Sequence, residues 1–183
     1  CIRDSPRTMA LSVYGDLDVS FIKGMPPGRH PVKTYVVGSH MLQRIFRFMK
    51  KEMESGHQAY VVCPLVEQSE KQDLAAAVSV YENLRDHVFP QFGVGLVHGR
   101  MKNAEKEQVM EDFRKGKFKL LVATSVIEVG VNVPDATVMF VYGADRFGLS
   151  QLHQLRGRVG RGKEQAYCVL YTDNQNETTQ LRM

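Results

Sequence analysis

The sequence has only three cysteines, Cys1, Cys63 and Cys168, and they lie far apart along the 183-residue chain. This spacing excludes a disulfide framework and a CxxC metal site, and it favours a reducing compartment with Cys63 and Cys168 as core residues. No apolar run approaches the ~18 residues of a membrane span, and the basic start lacks the apolar segment of a signal peptide. A GxGxxG sequence is also absent, which argues against a dinucleotide-binding enzyme.

Acidic residues are scarce in one stretch, residues 143–163, which contains five basic residues and a single acidic one, Asp145. The net charge of this stretch is therefore +4, which equals the formal net charge of the whole chain. Such a local cationic patch indicates a phosphate-bearing partner, whereas a dispersed excess would indicate only solubility. The five basic residues are Arg146, Arg156, Arg158, Arg161 and Lys163.

The chain does contain enough apolar material for one well-filled core, with 43% hydrophobic residues. Its apolar residues recur in short, continuous, valine-rich runs, which are typical of strands buried on both faces of a parallel sheet. These runs lie at residues 59–63, 94–97, 120–123, 137–142 and 166–171, and a further strand is predicted at 34–37. We therefore predict an α/β fold with a mostly parallel sheet flanked by helices.

Amphipathic patterns between these runs predict three helices. The first is expected to begin with Ser39 as its N-cap and to stop at Gly56. The second is expected to begin at Ser69, and the third to have Asn103 as its N-cap and to end at Gly116. The apolar Met and Phe stripes of these helices are expected to face the core.

The most informative segment reads QLHQLRGRVGR and ends at Arg161. On a helix, Gln154, Arg158 and Arg161 would share one face above an apolar back. Arginine suits phosphate oxygens because its planar guanidinium donates two parallel hydrogen bonds. Gly157 and Gly160 would let another backbone or a ligand approach closely. The alternative interpretation is a solvated basic helix face.

This segment matches QxxGRxxR, the final motif of superfamily-2 helicases, and ATSVIEVGVNVPDA resembles the motif that precedes it. The longer form FGLSQLHQLRGRVGR is similar to the RecG branch and its relative Mfd, as are YGDLDVS, PPGR, CPLVE and HGRM. The resemblance runs from about Pro6 to Tyr171. It implies the second RecA-like motor domain of an ATP-dependent DNA helicase or translocase that remodels branched DNA, such as stalled forks and Holliday junctions, in recombination and repair.

The resemblance also implies roles in ATP hydrolysis. Arg158 and Arg161 would be catalytic arginine fingers that stabilise charge on the γ-phosphate. The nucleotide would further be contacted at Gln154, Gly130, Asn132 and Gly157. The family commonly carries Asp where this chain has Asn132, which keeps an acceptor for a ribose hydroxyl but loses the charge.

DNA-backbone contacts are implied at Pro64, Gly99, Arg100, Thr124 and Ser125. These positions follow buried strands, and ligands of open α/β sheets bind at the carboxyl ends of strands. Hydroxyl and backbone N–H groups at such ends can reach phosphates. The alternatives are a helix cap for Thr124 and a solvated loop charge for Arg100.

The sequence carries neither a GxxxxGK[ST] phosphate loop nor a DExx segment. ATP with Mg²⁺ is therefore expected to be bound mainly by a first RecA-like motor domain, and no metal ligand is assigned to this chain. Residues 1–30 are expected to be an arm or linker from the end of that first domain, and residues 31–173 the second motor domain. Residues 174–183 would begin a truncated C-terminal extension.

The expected partners are branched or duplex DNA and the first motor domain of the same protein, in the bacterial cytoplasm near the nucleoid and without a membrane. Two alternatives stay open. One is an Mfd-like transcription-repair translocase domain, and the other is a nucleic-acid-binding module without ATPase activity. The sequence does not indicate an oligomeric state.

Overall fold

The computed structural model describes residues 30–64, 70–124 and 133–173 of the chain. Six strands of these ranges form one sheet, namely β1 (Lys33–Val37), β2 (Gln58–Cys63), β3 (Val94–Val97), β4 (Leu120–Thr124), β5 (Ala136–Val141) and β6 (Tyr167–Tyr171). The strand order is β1-β6-β5-β2-β4-β3, and every neighbouring pair is parallel. The predicted fold class is confirmed, and each predicted strand agrees with the structure to within one residue at either end.

Helices cover both faces of the sheet. The described ranges contain α1 (Leu42–Glu54), α2 (Glu70–Asn83), α3 (Asn103–Arg114) and α4 (Leu149–Arg156). Met49 of α1 and Ala77 of α2 belong to one buried cluster, whereas Met110 of α3 and Leu152 of α4 belong to the other. The described part of the chain is therefore a three-layer α/β/α sandwich, with one apolar core on each side of the sheet.

The central strands explain the continuous apolar runs of the sequence. Every residue of β2, β4 and β5 is buried, because helices cover both faces of these strands. The polar exception in β2 is Gln58, whose Nε2 donates hydrogen bonds to the carbonyl oxygens of Phe113 at 2.6 Å and Phe118 at 3.2 Å. Its buried amide nitrogen is thus hydrogen-bonded, and it joins the amino end of β2 to the end of α3.

The predicted helix ends are confirmed at Gly56 and Gly116, which follow α1 and α3 closely. Both have positive φ angles, of 97° and 74°, which glycine adopts without strain. The predicted start of α2 at Ser69 lies outside the described residues.

The predicted N-caps Ser39 and Asn103 are wrong. Ser39 lies inside a short 3₁₀ turn that precedes α1, and no side chain caps either element. Asn103 is the first residue of α3, and the N-cap position belongs to Lys102, whose backbone N–H donates to Glu105 Oε2 at 3.1 Å. In both places another residue occupies the N-cap position, Met41 for α1 and Lys102 for α3.

Phe113 offers a test of the core between the sheet and α3. Its side chain is fully buried, and its ring packs edge-on against Tyr60 with centroids 5.0 Å apart. We expect Phe113→Ala to lower the free energy of unfolding by roughly 3–5 kcal/mol, because it leaves a cavity. Urea denaturation of the chain measures this. The matched control, Leu149→Ala at a 52% exposed side chain, should change it by no more than about 0.5 kcal/mol. Equal effects would contradict the described core.

Candidate functional site

Helix α4 carries the first half of the cationic segment. Its N-terminus is stabilised by Gln151, whose Oε1 accepts a hydrogen bond from the Gly148 N–H at 2.9 Å. Leu152 and Leu155 are buried against the sheet, while Gln154 is exposed. The helix thus anchors one side in the core and presents the amide of Gln154 to solvent.

The predicted single helix face for Gln154, Arg158 and Arg161 is wrong, because α4 ends at Arg156. The chain then turns, with the Arg158 N–H donating to the Leu155 carbonyl at 3.0 Å. Both arginines therefore lie on a loop, residues 157–164, which we call the arginine loop. Val159 of this loop is still buried in the core, with only 2% of its surface exposed. The apolar spacing continues past the end of the helix, and for this reason the sequence predicted a longer one.

Two glycines seat the arginine loop against the rest of the domain. Gly160 has a φ of 71°, and a Cβ there would lie 3.1 Å from side-chain carbons of both Ala166 and Val32. A Cβ at Gly162 would lie 2.6 Å from the Pro134 carbonyl oxygen, which is too close for any Cβ. Gly160 is thus approached by side chains and not by the predicted backbone or ligand, and Gly157 has only ordinary contacts at 3.4 Å or more. The close backbone approach lies at Gly162, which the sequence missed.

The two arginines share one electrostatic environment. Burial raises the pKa of Tyr60 to about 12, while the positive charges of Arg161 and Arg158 act to lower it. Both charges thus act on the same phenol of β2, whose side chain lies on the face of the sheet that α3 and α4 cover. The Arg161 Nε also donates to the Gly157 carbonyl at 3.4 Å. The loop presents two part-exposed cations from a backbone that packs against Val32, Pro134 and Ala166.

A second group of predicted residues lies at the carboxyl edge of the sheet. Pro64 directly follows β2, and Thr124 ends the neighbouring β4, paired with Cys63 in the register. Gly99 and Arg100 form a turn just beyond β3, the other neighbour of β4. The structure thus brings these four predicted contact residues to one edge, since parallel strands end together.

The turn at Gly99 and Arg100 is held from α3. Lys106 Nζ donates to the Gly99 carbonyl at 2.9 Å, and the Met101 N–H donates to the His98 carbonyl at 3.2 Å. The sequence gave no signal for Lys106, because its role depends on how α3 packs beside β3. These bonds leave the turn exposed but fixed in position.

Two polar atoms at this edge lack a hydrogen-bond partner among the described residues, Thr124 Oγ1 and His98 Nδ1. Thr124 is only 1% exposed. Burial lowers the pKa of His98, and the charges of Lys106 and Arg100 lower it further. A buried polar atom without a partner costs free energy, and a phosphate or a water would satisfy it. Sequence reasoning missed His98.

Ser125, Gly130 and Asn132 lie outside the described residues. Within residues 30–64, 70–124 and 133–173, no group of three or more His, Cys, Asp or Glu side chains could hold a metal ion. In the same ranges no helix combines the length and apolarity needed to cross a membrane.

Comparison with known proteins defines the class. The profile of the family described as "Helicase conserved C-terminal domain" matches residues 39–163. The match covers more than half of the chain, so the chain belongs to this family. It includes α4, the arginine loop except its last residue, and the carboxyl-edge residues described above.

Within that family the chain is similar to RecG. It is 52% identical over 178 residues to the ATP-dependent DNA helicase RecG of Bacillus subtilis (strain 168), covering 97% of this chain and 26% of that protein. It is 48% identical to RecG of Thermotoga maritima, covering 97% of this chain and 23% of that protein. The chain therefore spans about a quarter of the length of these bacterial relatives.

Solved structures agree with this placement. A structure of RecG bound to a three-way DNA junction matches with a TM-score of 0.79 and 45% identity, covering 96% of this chain and 23% of that one. Saccharomyces cerevisiae Dbp5 bound to RNA and ADP BeF3 matches with a TM-score of 0.58 and 16% identity, covering 82% of this chain and 37% of that one. The second match shows the fold alone. The predicted RecG resemblance and RecA-like fold are confirmed.

The packing of Gly162 gives a test of the arginine loop. We expect Gly162→Ala to shift the loop and to destabilise the fold, because the added Cβ would collide with the Pro134 carbonyl. Gly157→Ala is the matched control, since its φ of −72° is helical and its Cβ would have ordinary contacts at 3.4 Å or more. Thermal unfolding measures both. A Gly162→Ala chain as stable as Gly157→Ala would show that the loop is not packed as described.

Proposed function

We propose that residues 31–173 are the second motor domain of a RecG-type ATP-dependent DNA helicase that acts on branched DNA in the bacterial cytoplasm. The observation that carries this proposal is the arginine loop, which holds Arg158 and Arg161 together on a packed backbone. The identity to RecG over nearly the whole chain supports it. Residues 1–30 and 174–183 would connect this domain to the rest of the protein.

The chemistry of the arginine loop fits the transfer of a phosphoryl group. Charge spreads over the γ-phosphate oxygens in the transition state, and guanidinium groups from a neighbouring domain stabilise it. Arg158 and Arg161 would donate these hydrogen bonds, with Gln154 beside them at the end of α4. Because the sequence lacks a phosphate loop, we propose that the first motor domain binds Mg²⁺ and most of the ATP.

The carboxyl edge would bind the DNA backbone. Arg100 supplies charge, Lys106 fixes the Gly99 carbonyl, and the hydroxyl of Thr124 lacks a partner among the described residues. Contacts of this kind go to phosphates, so they carry no sequence information. The proposal therefore separates two sites, with the arginine loop for ATP and the carboxyl edge for DNA.

Substitution of the arginines tests the ATP site in the full-length enzyme. We expect Arg158→Ala or Arg161→Ala to lower kcat for ATP by about 10³-fold or more, as the loss of an arginine finger does. DNA affinity should change little. Arg→Lys should restore little activity, because a point charge lacks the planar fork. The measurement is steady-state ATP turnover with saturating branched DNA.

Arg156→Ala is the control for this test, because Arg156 is exposed at the end of α4 and precedes the arginine loop. It should cost much less than Arg158→Ala. If the Arg158 and Arg161 variants instead keep wild-type turnover and lose DNA binding, the cationic segment is a DNA surface. The chain would then be interpreted as a nucleic-acid-binding module without ATPase activity and not as a motor domain.

Substitution of Arg100 in the 183-residue chain tests whether the carboxyl edge binds DNA. We expect Arg100→Ala to weaken DNA binding about equally for all sequences, and to reduce the slope of log K against log salt by about one. The control is Arg114→Ala, since Arg114 lies at the end of α3, beside the amino end of β2, and pairs with Glu111 at 2.7 Å. Fluorescence anisotropy at several salt concentrations measures both. Equal losses for the two variants would contradict the placement of DNA.

A further inference from the structure

A cavity of about 520 Å³ opens at the carboxyl ends of β2, β5 and β6, beside α2. We propose that this cavity receives an unpaired nucleobase of the DNA strand whose phosphates bind the carboxyl edge, an inference that rests on the proposed function. Pro64 connects the two, since it lines the cavity and also belongs to the predicted DNA contacts.

The cavity has an aromatic wall. Tyr142 is half-buried, and its ring centroid lies 4.8 Å from that of Tyr171 and 6.0 Å from that of Phe140. The Tyr171 hydroxyl donates to Asp173 Oδ1 at 2.6 Å, which fixes the inner ring. A ring held on one side and part-exposed on the other is a platform on which a base can stack.

The charge of the cavity favours a base over a phosphate. Among the described residues that line it, Asp145 and Asp173 stand against one cation, Arg146, so this part of the lining is net negative and repels a phosphate group. Asp145 accepts a hydrogen bond from Thr172 Oγ1 at 2.8 Å, and a carboxylate has room for further donors such as the amino groups of bases. Arg146 is exposed, where it can meet the phosphate that follows the base.

The remaining walls are apolar and unreactive. Ala77 and Val80 of α2 supply one side, and Pro64 approaches Gly143 so closely that a Cβ there would lie 3.3 Å from its Cγ. Burial raises the pKa of Cys63 to about 12, so its thiol stays protonated near neutral pH. The described lining residues thus offer stacking and hydrogen bonding and no activated nucleophile, which suits binding of a base and not chemistry on it.

The absence of tryptophan from the chain allows a direct reporter. In Tyr142→Trp, a base that stacks in the cavity should quench the single tryptophan. The probes are a short oligodeoxyadenylate and an abasic strand of the same length, which has the same phosphates but no bases. We expect saturable quenching by the first, with the abasic strand bound about 5- to 100-fold more weakly and without quenching, as loss of base stacking predicts.

Tyr35→Trp is the matched control, because Tyr35 is a 50% exposed aromatic residue of β1 that does not line the cavity. Its emission should stay unchanged with either strand.

A second experiment keeps the native cavity and places the fluorescent base 2-aminopurine in the strand. Its emission should change with the unmodified chain and with Tyr142→Phe, and Tyr142→Ala should weaken binding by about 5- to 100-fold.

Free deoxyadenosine separates a base in a strand from a nucleoside. It should quench the Tyr142→Trp chain far less than the strand does, because it lacks the phosphate contacts of the edge. Equal quenching by deoxyadenosine, or by the abasic strand, would overturn the inference. Strand binding seen by anisotropy without any change in either fluorophore would overturn it and leave the proposed DNA contact intact. Failure of every strand to bind at low salt would overturn both.

Discussion

The structure depends on the parallel pairing of β2 with β4 on one side and β5 on the other. Parallel neighbours cannot be joined by a tight turn, so the chain must return across a face of the sheet after each strand. Helices occupy those faces, and every residue of the three central strands is buried as a result. The same pairing collects the segments that follow the strands at one edge, where the proposed DNA contacts and the cavity lie.

The arginine loop adds a second constraint, which is steric. Gly160 lets the loop lie close to Val32 and Ala166, and Gly162 lets it lie against the Pro134 carbonyl at a distance that no Cβ would permit. The side chain of Val159 is buried in the core and anchors the loop there. Two cations are thus presented from a rigid backbone, which limits the entropy lost when they bind a phosphate. This is the arrangement expected of groups that must meet a ligand held by another domain.

The central strands could be predicted from the sequence, because burial on both faces leaves a short, continuous apolar run. Helix ends were less predictable. Ser39 failed as a cap because a 3₁₀ turn precedes α1, and α4 is shorter than its apolar pattern because Val159 returns to the core from a turn. The motifs predicted roles for Arg158, Arg161 and Arg100, and these stay predictions. The support from Lys106 and the contact at Gly162 exist only after folding.

The central claim is that the arginine loop meets the γ-phosphate while the carboxyl edge meets DNA. The most direct measurement is a structure of the full-length protein with branched DNA and ADP plus beryllium fluoride, which stands in for the γ-phosphate. The account predicts guanidinium nitrogens of Arg158 and Arg161 within hydrogen-bond distance of the fluorides, and Arg100 at a DNA phosphate. Arg158 and Arg161 both bound to DNA phosphates, with no contact to the beryllium fluoride, would contradict it.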